Sequence, residues 1–222
     1  MEGFGQTEAM GVNLSSHDHR RVGSIGKPIG EVQFKVTEEG ELAIKADGCT
    51  PGYYKQEDKT AELIRDGWLH TGDKVRVDED GFIYITGRVK DYFKTIQGKF
   101  VAPPPIESAF AKNPHAEQQC LLGRGFSKTV MVLVLTEEAQ SSPEQEIAES
   151  ILATVREINE DIEKHARVGA VIVSREPWSI ENEVLTPTLK IRREKVEERF
   201  AELAEQLARN AAEQRELLLH WH

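Results

Sequence analysis

Cysteine is scarce in this chain. Cys49 and Cys120 are the only two in 222 residues, too few and too far apart for a disulfide framework or a cysteine-rich zinc site, which fits a reducing cytoplasm. Long apolar runs are missing as well. None approaches the roughly 20 residues that a spanning helix needs, which argues against a transmembrane helix and leaves peripheral contact at the inner membrane face open. The opening Met1-Glu2-Gly3 carries neither a basic leader nor an apolar stretch, so no secretory signal is expected. Positive charge is outweighed, with 28 Lys and Arg against 38 Asp and Glu for a formal net charge of -10, which argues against a general nucleic-acid binder. Internal repeats and low-complexity tracts are lacking too. What remains, at 39% hydrophobic and 30% charged residues, is a globular chain with enough apolar material for one large domain or two small ones.

The first stretch opens on a glycine-rich polar segment with no helix or strand before it, an abrupt start for a domain. Val32 to Val36 alternates with the period of a half-buried strand, and the Glu38-Glu39-Gly40 turn leads into Leu42 to Ala46, a hairpin pattern. A short helix is predicted from Glu57 to Ile64. Val75 to Val77 and Phe82 to Ile85 flank Asp78-Glu79-Asp80-Gly81, whose Asp-Gly ending is a hairpin signal. Near Arg88 the character changes. A helix from Pro105 to Lys112, strands at Gln118 to Leu122 and Val130 to Leu135, a long helix from Pro143 to about His165, and a strand at Ala170 to Val173 follow. Helical spacing of Val196, Phe200, Leu203 and Leu207 predicts a terminal helix from Ile191 to about Leu218, its charged residues from Arg192 to Glu216 forming a solvated face. The fold class is therefore α+β, with a small antiparallel β-rich part first and a second α+β part ending in a long helix.

Three short segments could carry chemistry: Phe4-Gly5-Gln6-Thr7-Glu8, His70-Thr71-Gly72-Asp73 and Gly87-Arg88-Val89-Lys90-Asp91. Singly each also reads as a cap, a turn or a strand end. Together with Leu185-Thr186-Pro187-Thr188-Leu189-Lys190-Ile191 they follow the order and approximate spacing of the later core motifs of adenylate-forming enzymes. The chain resembles the C-terminal part of that superfamily along essentially its whole length. Phe93 to Pro103, followed by Pro105-Ile106-Glu107, and the Thr-Pro-Thr-Leu-Lys form of the last motif make it most similar to bacterial long-chain acyl-CoA synthetases.

The resemblance implies a reaction in two steps. A fatty-acid carboxylate attacks the α-phosphate of ATP to give an acyl-adenylate and pyrophosphate, and the thiol of coenzyme A then displaces AMP. It implies that Gly5, Gln6 and Thr7 meet the nucleotide, Thr7 at the phosphate, and that Glu8 binds the Mg2+ accompanying ATP. A hydroxyl and a hard carboxylate suit these tasks. Asp73 would hold both ribose hydroxyls with acceptor-only oxygens, and Arg88 would add a second contact at the ribose. Lys190 would be the catalytic lysine bridging the substrate carboxylate and the phosphate, a task suited to a compact ammonium on a long stem. Lys90 would be the hinge about which residues 90–222 rotate as a lid, and Gly98 would line the approach of the CoA thiol. Residues 1–89 would be the β-rich remnant of the large AMP-binding domain.

Other motifs read bland. Gly23-Ser24-Ile25-Gly26-Lys27-Pro28 lacks Walker spacing and is a turn. His17-Asp18-His19 and His220-Trp221-His222 lack a third metal ligand and read as solvated histidines. Cys120 reads as a small buried hydrophobe. The upstream Ser/Thr/Gly-rich phosphate loop of the family and most of the large domain are missing, so the expected partner is the N-terminal portion of the enzyme. The fragment alone is expected to be inactive and to expose apolar faces on the strands between Val32 and Ile85. The alternative is a non-catalytic nucleotide- or CoA-binding or interaction module derived from the family.

Overall fold

The computed structural model describes residues 4–9 and 21–222; His17 to His19 lie outside them. The fold is α+β, and it falls into two compact units, one ending at Lys90 and the other beginning at Asp91.

In the first unit, β1 (Gln33–Val36) and β2 (Glu41–Lys45) form the expected hairpin, with Val36 opposite Leu42. A helix α1 (Glu57–Leu63) precedes the two-residue β3 (Ile64–Arg65). The sheet is organised by β4 (Trp68–Val77), which pairs antiparallel with β2, β3 and β5 (Ile83–Arg88). Burial alternates along β4 because successive side chains of a strand point to opposite faces. Leu42, Ile44, Leu69, Val75 and Ile83 form the core, joined by Phe4 and Ile25. Leu42, Ala43 and Ile44 are all fully buried, so β2 is covered on both faces; on the strands of this unit the exposed large apolar side chains are Val36 of β1 and Ile85 of β5, and in its loops Val22, Ile29 and Tyr54 are exposed as well. The Gly23–Pro28 segment is pinned to β5: Ile25 N–H donates to the Ile83 carbonyl at 2.9 Å, as does the Ser24 hydroxyl at 2.9 Å.

The second unit opens with a small hairpin of β6 (Phe93–Lys94) and β7 (Phe100–Val101), followed by α2 (Pro103–Phe110). The helix starts two residues earlier than its periodicity predicts, because proline is tolerated in the first helical turn. The main sheet contains β8 (Ala116–Leu122), β9 (Thr129–Leu135) and β10 (Val168–Ser174), with α3 (Glu144–Asp161) between β9 and β10. Every residue of β9 and β10 is buried. The cause is a layer on each face. Met131, Leu133 and Leu135 of β9 pack with Ile147, Ile151 and Val155 of α3. The intervening Val130, Val132 and Val134 pack with Val196, Phe200, Ala204 and Ala208 of α4 (Arg193–Gln214). Each fully buried branched side chain contributes about 1.5–3 kcal/mol, and the alanines of α4 spare it the bulk that would hold it off the sheet.

Two expectations need correction here. The terminal helix stops at Gln214, where Arg215 turns left-handed at φ 58°, and Leu218–Trp221 forms β11, parallel to β10 with Leu218 opposite Ala170. Leu217, Leu219 and Trp221 cover one face of the sheet and Leu218 the other, an alternation of period two that the helical stripe had absorbed. His220 is accordingly half-buried in a strand, and the His222 ring packs edge-on against Phe200 with centroids 5.0 Å apart. The solvated-histidine reading therefore fails at His220, while His222 stays exposed beside Phe200.

Candidate functional site

In the first unit the structure joins Asp73 to Arg88. The two stand opposite each other on β4 and β5, and Arg88 Nη1 donates to Asp73 Oδ1 at 2.8 Å. Asp73 is 10% exposed at its side chain and Arg88 56%, so a buried acceptor is presented beside a solvated cation. Between them lies Gly72 at φ +74°, where an added Cβ would stand 3.0 Å from Arg88 Nη2. The turn before Asp73 is laced by side chains: Thr71 Oγ1 donates to the Leu42 carbonyl at 2.8 Å and accepts the Asp73 N–H at 3.1 Å.

The segment from Phe4 to Ala9 is fastened to the loop after β2. Ala9 bridges Cys49, and Thr50 N–H donates to the Glu8 carbonyl at 2.7 Å. Tyr53 Oη donates to Glu8 Oε1 at 2.7 Å, which favours the protonated phenol and raises its pKa above 10.0. Gly5 and Thr7 are exposed. Gln6 Nε2 is buried with no hydrogen-bond partner among the described residues. No group of three or more His, Cys, Asp or Glu able to hold a metal occurs among the described residues. A lone carboxylate fits Mg2+, which binds through one or two carboxylates together with substrate phosphates.

In the second unit Lys190 sits exposed at the end of a tight loop. Leu185 bridges Ile191, Lys190 N–H donates to Thr186 Oγ1 at 3.0 Å, and Leu189 is left-handed at φ 60°. Lys190 lines a cavity of about 320 Å³ with Glu107, Gln119, Cys120 and Arg193. Arg193 is not part of the solvated helix face that was expected. Its Nη2 donates to Glu107 Oε1 at 2.7 Å and its Nη1 to the Leu121 carbonyl at 2.7 Å, while Glu107 Oε1 also accepts the Leu121 N–H at 2.7 Å. Burial opposes the Arg193 charge, and Cys120 and Glu107 outweigh it. Burial pushes the Cys120 thiol up to about 12, so near neutrality the thiol is uncharged and Glu107 is the counter-charge.

Gly98 occupies the turn between β6 and β7 at φ +72°, and an added Cβ would meet nothing within 4 Å. Within this unit its requirement is the left-handed backbone rather than a close approach. Lys90 falls in a short 3-10 turn, Val89–Asp91. Glu41, Tyr53 and Arg193 escape the sequence reading. An acidic residue between the Glu38-Glu39-Gly40 turn and an apolar strand is the only signal Glu41 offers, and a basic residue two positions after the last motif the only one for Arg193.

Residues 90–212 match the family model described as the AMP-binding enzyme C-terminal domain. The chain is similar to a long-chain-fatty-acid–CoA ligase of Mycobacterium bovis, 29% identical over 90% of this chain and 36% of that protein. It is likewise similar to long-chain-fatty-acid–CoA ligase 5 of Mus musculus, 31% identical over 86% of this chain and 33% of that protein. Among solved structures it is similar to the A-PCP didomain of a carboxylic acid reductase from Segniliparus rugosus in complex with AMP, with TM-score 0.75 and 29% identity over 96% of this chain and 31% of that one. The chain thus spans about a third of the length of the curated relatives it matches.

Proposed function

Because this chain belongs to the AMP-binding enzymes, whose C-terminal domain it carries over residues 90–212, we propose that it is the C-terminal portion of a long-chain acyl-CoA synthetase. The observation that carries this reading is the Asp73–Arg88 pair, assembled on adjacent strands in a chain similar to fatty-acid–CoA ligases along most of its length. A buried carboxylate with two acceptor oxygens can take both ribose hydroxyls, and an arginine beside it can turn to the same sugar. Residues 1–89 are then the end of the large domain and residues 90–222 the lid, with Lys90 as hinge.

In the first step the acyl carboxylate oxygen bonds to the α-phosphorus of ATP as the bond to pyrophosphate breaks. Lys190, on its braced loop, offsets the charge that gathers on the carboxylate and the phosphate. Thr7 and the amide of Gln6 meet the nucleotide, and Glu8 would hold Mg2+, which would supply neutralisation of phosphate charge when bound. In the second step the CoA thiolate attacks the acyl carbonyl carbon and AMP leaves with the bonding electrons. Gly98 gives the thiol its path. The lid brings Lys190 and Gly98 to the nucleotide in turn.

No helix among the described residues is long and apolar enough to cross a membrane; the reaction is assigned to the cytoplasm, with its lipid substrate drawn from the inner membrane face. Fatty-acid-dependent exchange of pyrophosphate into ATP tests the proposal. The 222-residue chain alone is expected to give none, and the enzyme reassembled with an N-terminal portion bearing the phosphate loop to give it. Strong exchange by the chain alone would overturn the requirement for that portion, and exchange driven by other acids but not long-chain ones would overturn the substrate class.

A further inference from the structure

Glu41 opens β2 with its side chain only 10% exposed, and both carboxylate oxygens are occupied. Oε1 accepts the Gly72 N–H at 2.9 Å, and Oε2 lies 2.8 Å from His70 Nδ1. The ladder between β2 and β4 is broken here: Glu41 faces Lys74 and Ala43 faces His70, so two residues advance on β2 while four advance on β4. Extra residues in a strand lose their ladder partners and re-aim their side chains. At this bulge side chains supply what the ladder does not. Thr71 Oγ1 reaches the Leu42 carbonyl, and Glu41 takes the Gly72 amide. A carboxylate this deeply placed is costly without partners, yet here it spans the bulge from His70 to Gly72 and stops one residue short of Asp73.

We propose that Glu41 is a positioning residue whose carboxylate fixes the bulge that presents Asp73, and so sets the preference for a ribonucleotide over its 2′-deoxy analogue. The proposal rests on the reading of Asp73 as the ribose contact. Glu41 touches neither the nucleotide nor the reacting atoms. It acts through the Gly72 backbone, which also gives Arg88 its passage to Asp73.

Two measurements test it. In the 222-residue chain, hydrogen exchange followed by NMR is expected to speed up about tenfold or more at the Gly72 amide in Glu41→Ala, while Val75, bonded to the Gly40 carbonyl, stays protected. Glu41→Gln keeps one acceptor for Gly72 and is expected to restore most of the protection. An unchanged Gly72 in Glu41→Ala overturns the positioning role. In the reassembled enzyme, kcat/KM for ATP is expected to exceed that for 2′-deoxy-ATP by about tenfold or more, the worth of a hydrogen bond to a charged group. Glu41→Ala should bring that ratio to within about threefold of one, and Glu41→Gln should leave it near the wild-type value. A loss of folded protein lowers both rates but does not move their ratio, so a retained wild-type ratio in Glu41→Ala overturns the inference. A wild-type ratio near one sinks the ribose reading of Asp73 instead, and Gly72 exchange then decides the role of Glu41. Should Glu41→Ala fail to fold, Glu41→Asp, one methylene too short to reach Gly72, carries the same test.

Discussion

Arg88 reaches Asp73 by passing over Gly72: the guanidinium donates to the carboxylate at 2.8 Å, and a Cβ on Gly72 would sit 3.0 Å from its second nitrogen. Gly72→Ala therefore meets both a left-handed backbone, φ +74°, and a displaced arginine. The backbone term alone costs about 1–2 kcal/mol, because the flexible end of Arg88 can move aside. Urea unfolding of the first unit should show that loss. An alanine variant as stable as the parent would contradict the geometry.

The buried ion pair of the second unit makes a sharper prediction. Arg193 and Glu107 are each 16% exposed at the side chain, and removing one leaves the other charge desolvated. Arg193→Met is expected to destabilise the unit by about 3–5 kcal/mol, whereas Arg193→Met with Glu107→Leu should cost far less. Unfolding followed through Trp178, which is 4% exposed, reports it. Single and double variants of equal stability would show that the loss comes from the Leu121 backbone contacts of Arg193 and Glu107 rather than from an uncompensated charge.

The tie between Tyr53 and Glu8 depends on pH in a definite sense. The raised phenol pKa comes first from its hydrogen bond to Glu8 and then from burial. A group whose folded pKa is raised contributes fully below its unfolded value, here 10.0, and loses that contribution as pH rises through the folded value. Ultraviolet titration should place Tyr53 above 10, assigned by difference with Tyr53→Phe, and Glu8→Gln should bring it down. An unmoved phenol in Glu8→Gln would remove Tyr53 as the support of Glu8.

The two cysteines should differ in reactivity. Cys120 is 1% exposed, with its pKa pushed by burial from 9.0 to about 12, while Cys49 is half-buried. A disulfide reagent at neutral pH should titrate one thiol in the folded chain and two after unfolding. Because the unfolded thiol ionises first, Cys120 also lowers stability as pH rises from 9.0 towards about 12. Equal reaction at both cysteines would contradict the burial.

Much of this was legible in local pattern. The hairpin β1–β2, the β4–β5 hairpin with its Asp-Gly ending and the buried runs of β9 and β10 follow from periodicity and turn chemistry. Where the reading failed, the deciding partner lay far away in sequence. Leu217 to Leu219 look like the end of a helical stripe until Arg215 turns the chain and the edge of β10 offers itself. Arg193 looks like one more surface charge in α4, and only Glu107, 86 positions away, makes it an anchor. Glu41 is likewise an ordinary strand residue until His70 and Gly72 fold back on it. The site motifs stood out as short segments; the residues that hold them in place did not, since each supports its motif across a fold rather than along a chain.

Lys190 is proposed to act in the first half-reaction and to stand aside in the second. In the reassembled enzyme, Lys190→Ala should lower fatty-acid adenylation by about 10²–10³-fold, as expected for removing a group that stabilises transition-state charge. The same variant should form acyl-CoA from preformed acyl-adenylate at a rate within a few-fold of the parent. A loss of equal size in both steps would contradict the account, because it would make Lys190 a structural residue of the loop rather than the lysine of the first step.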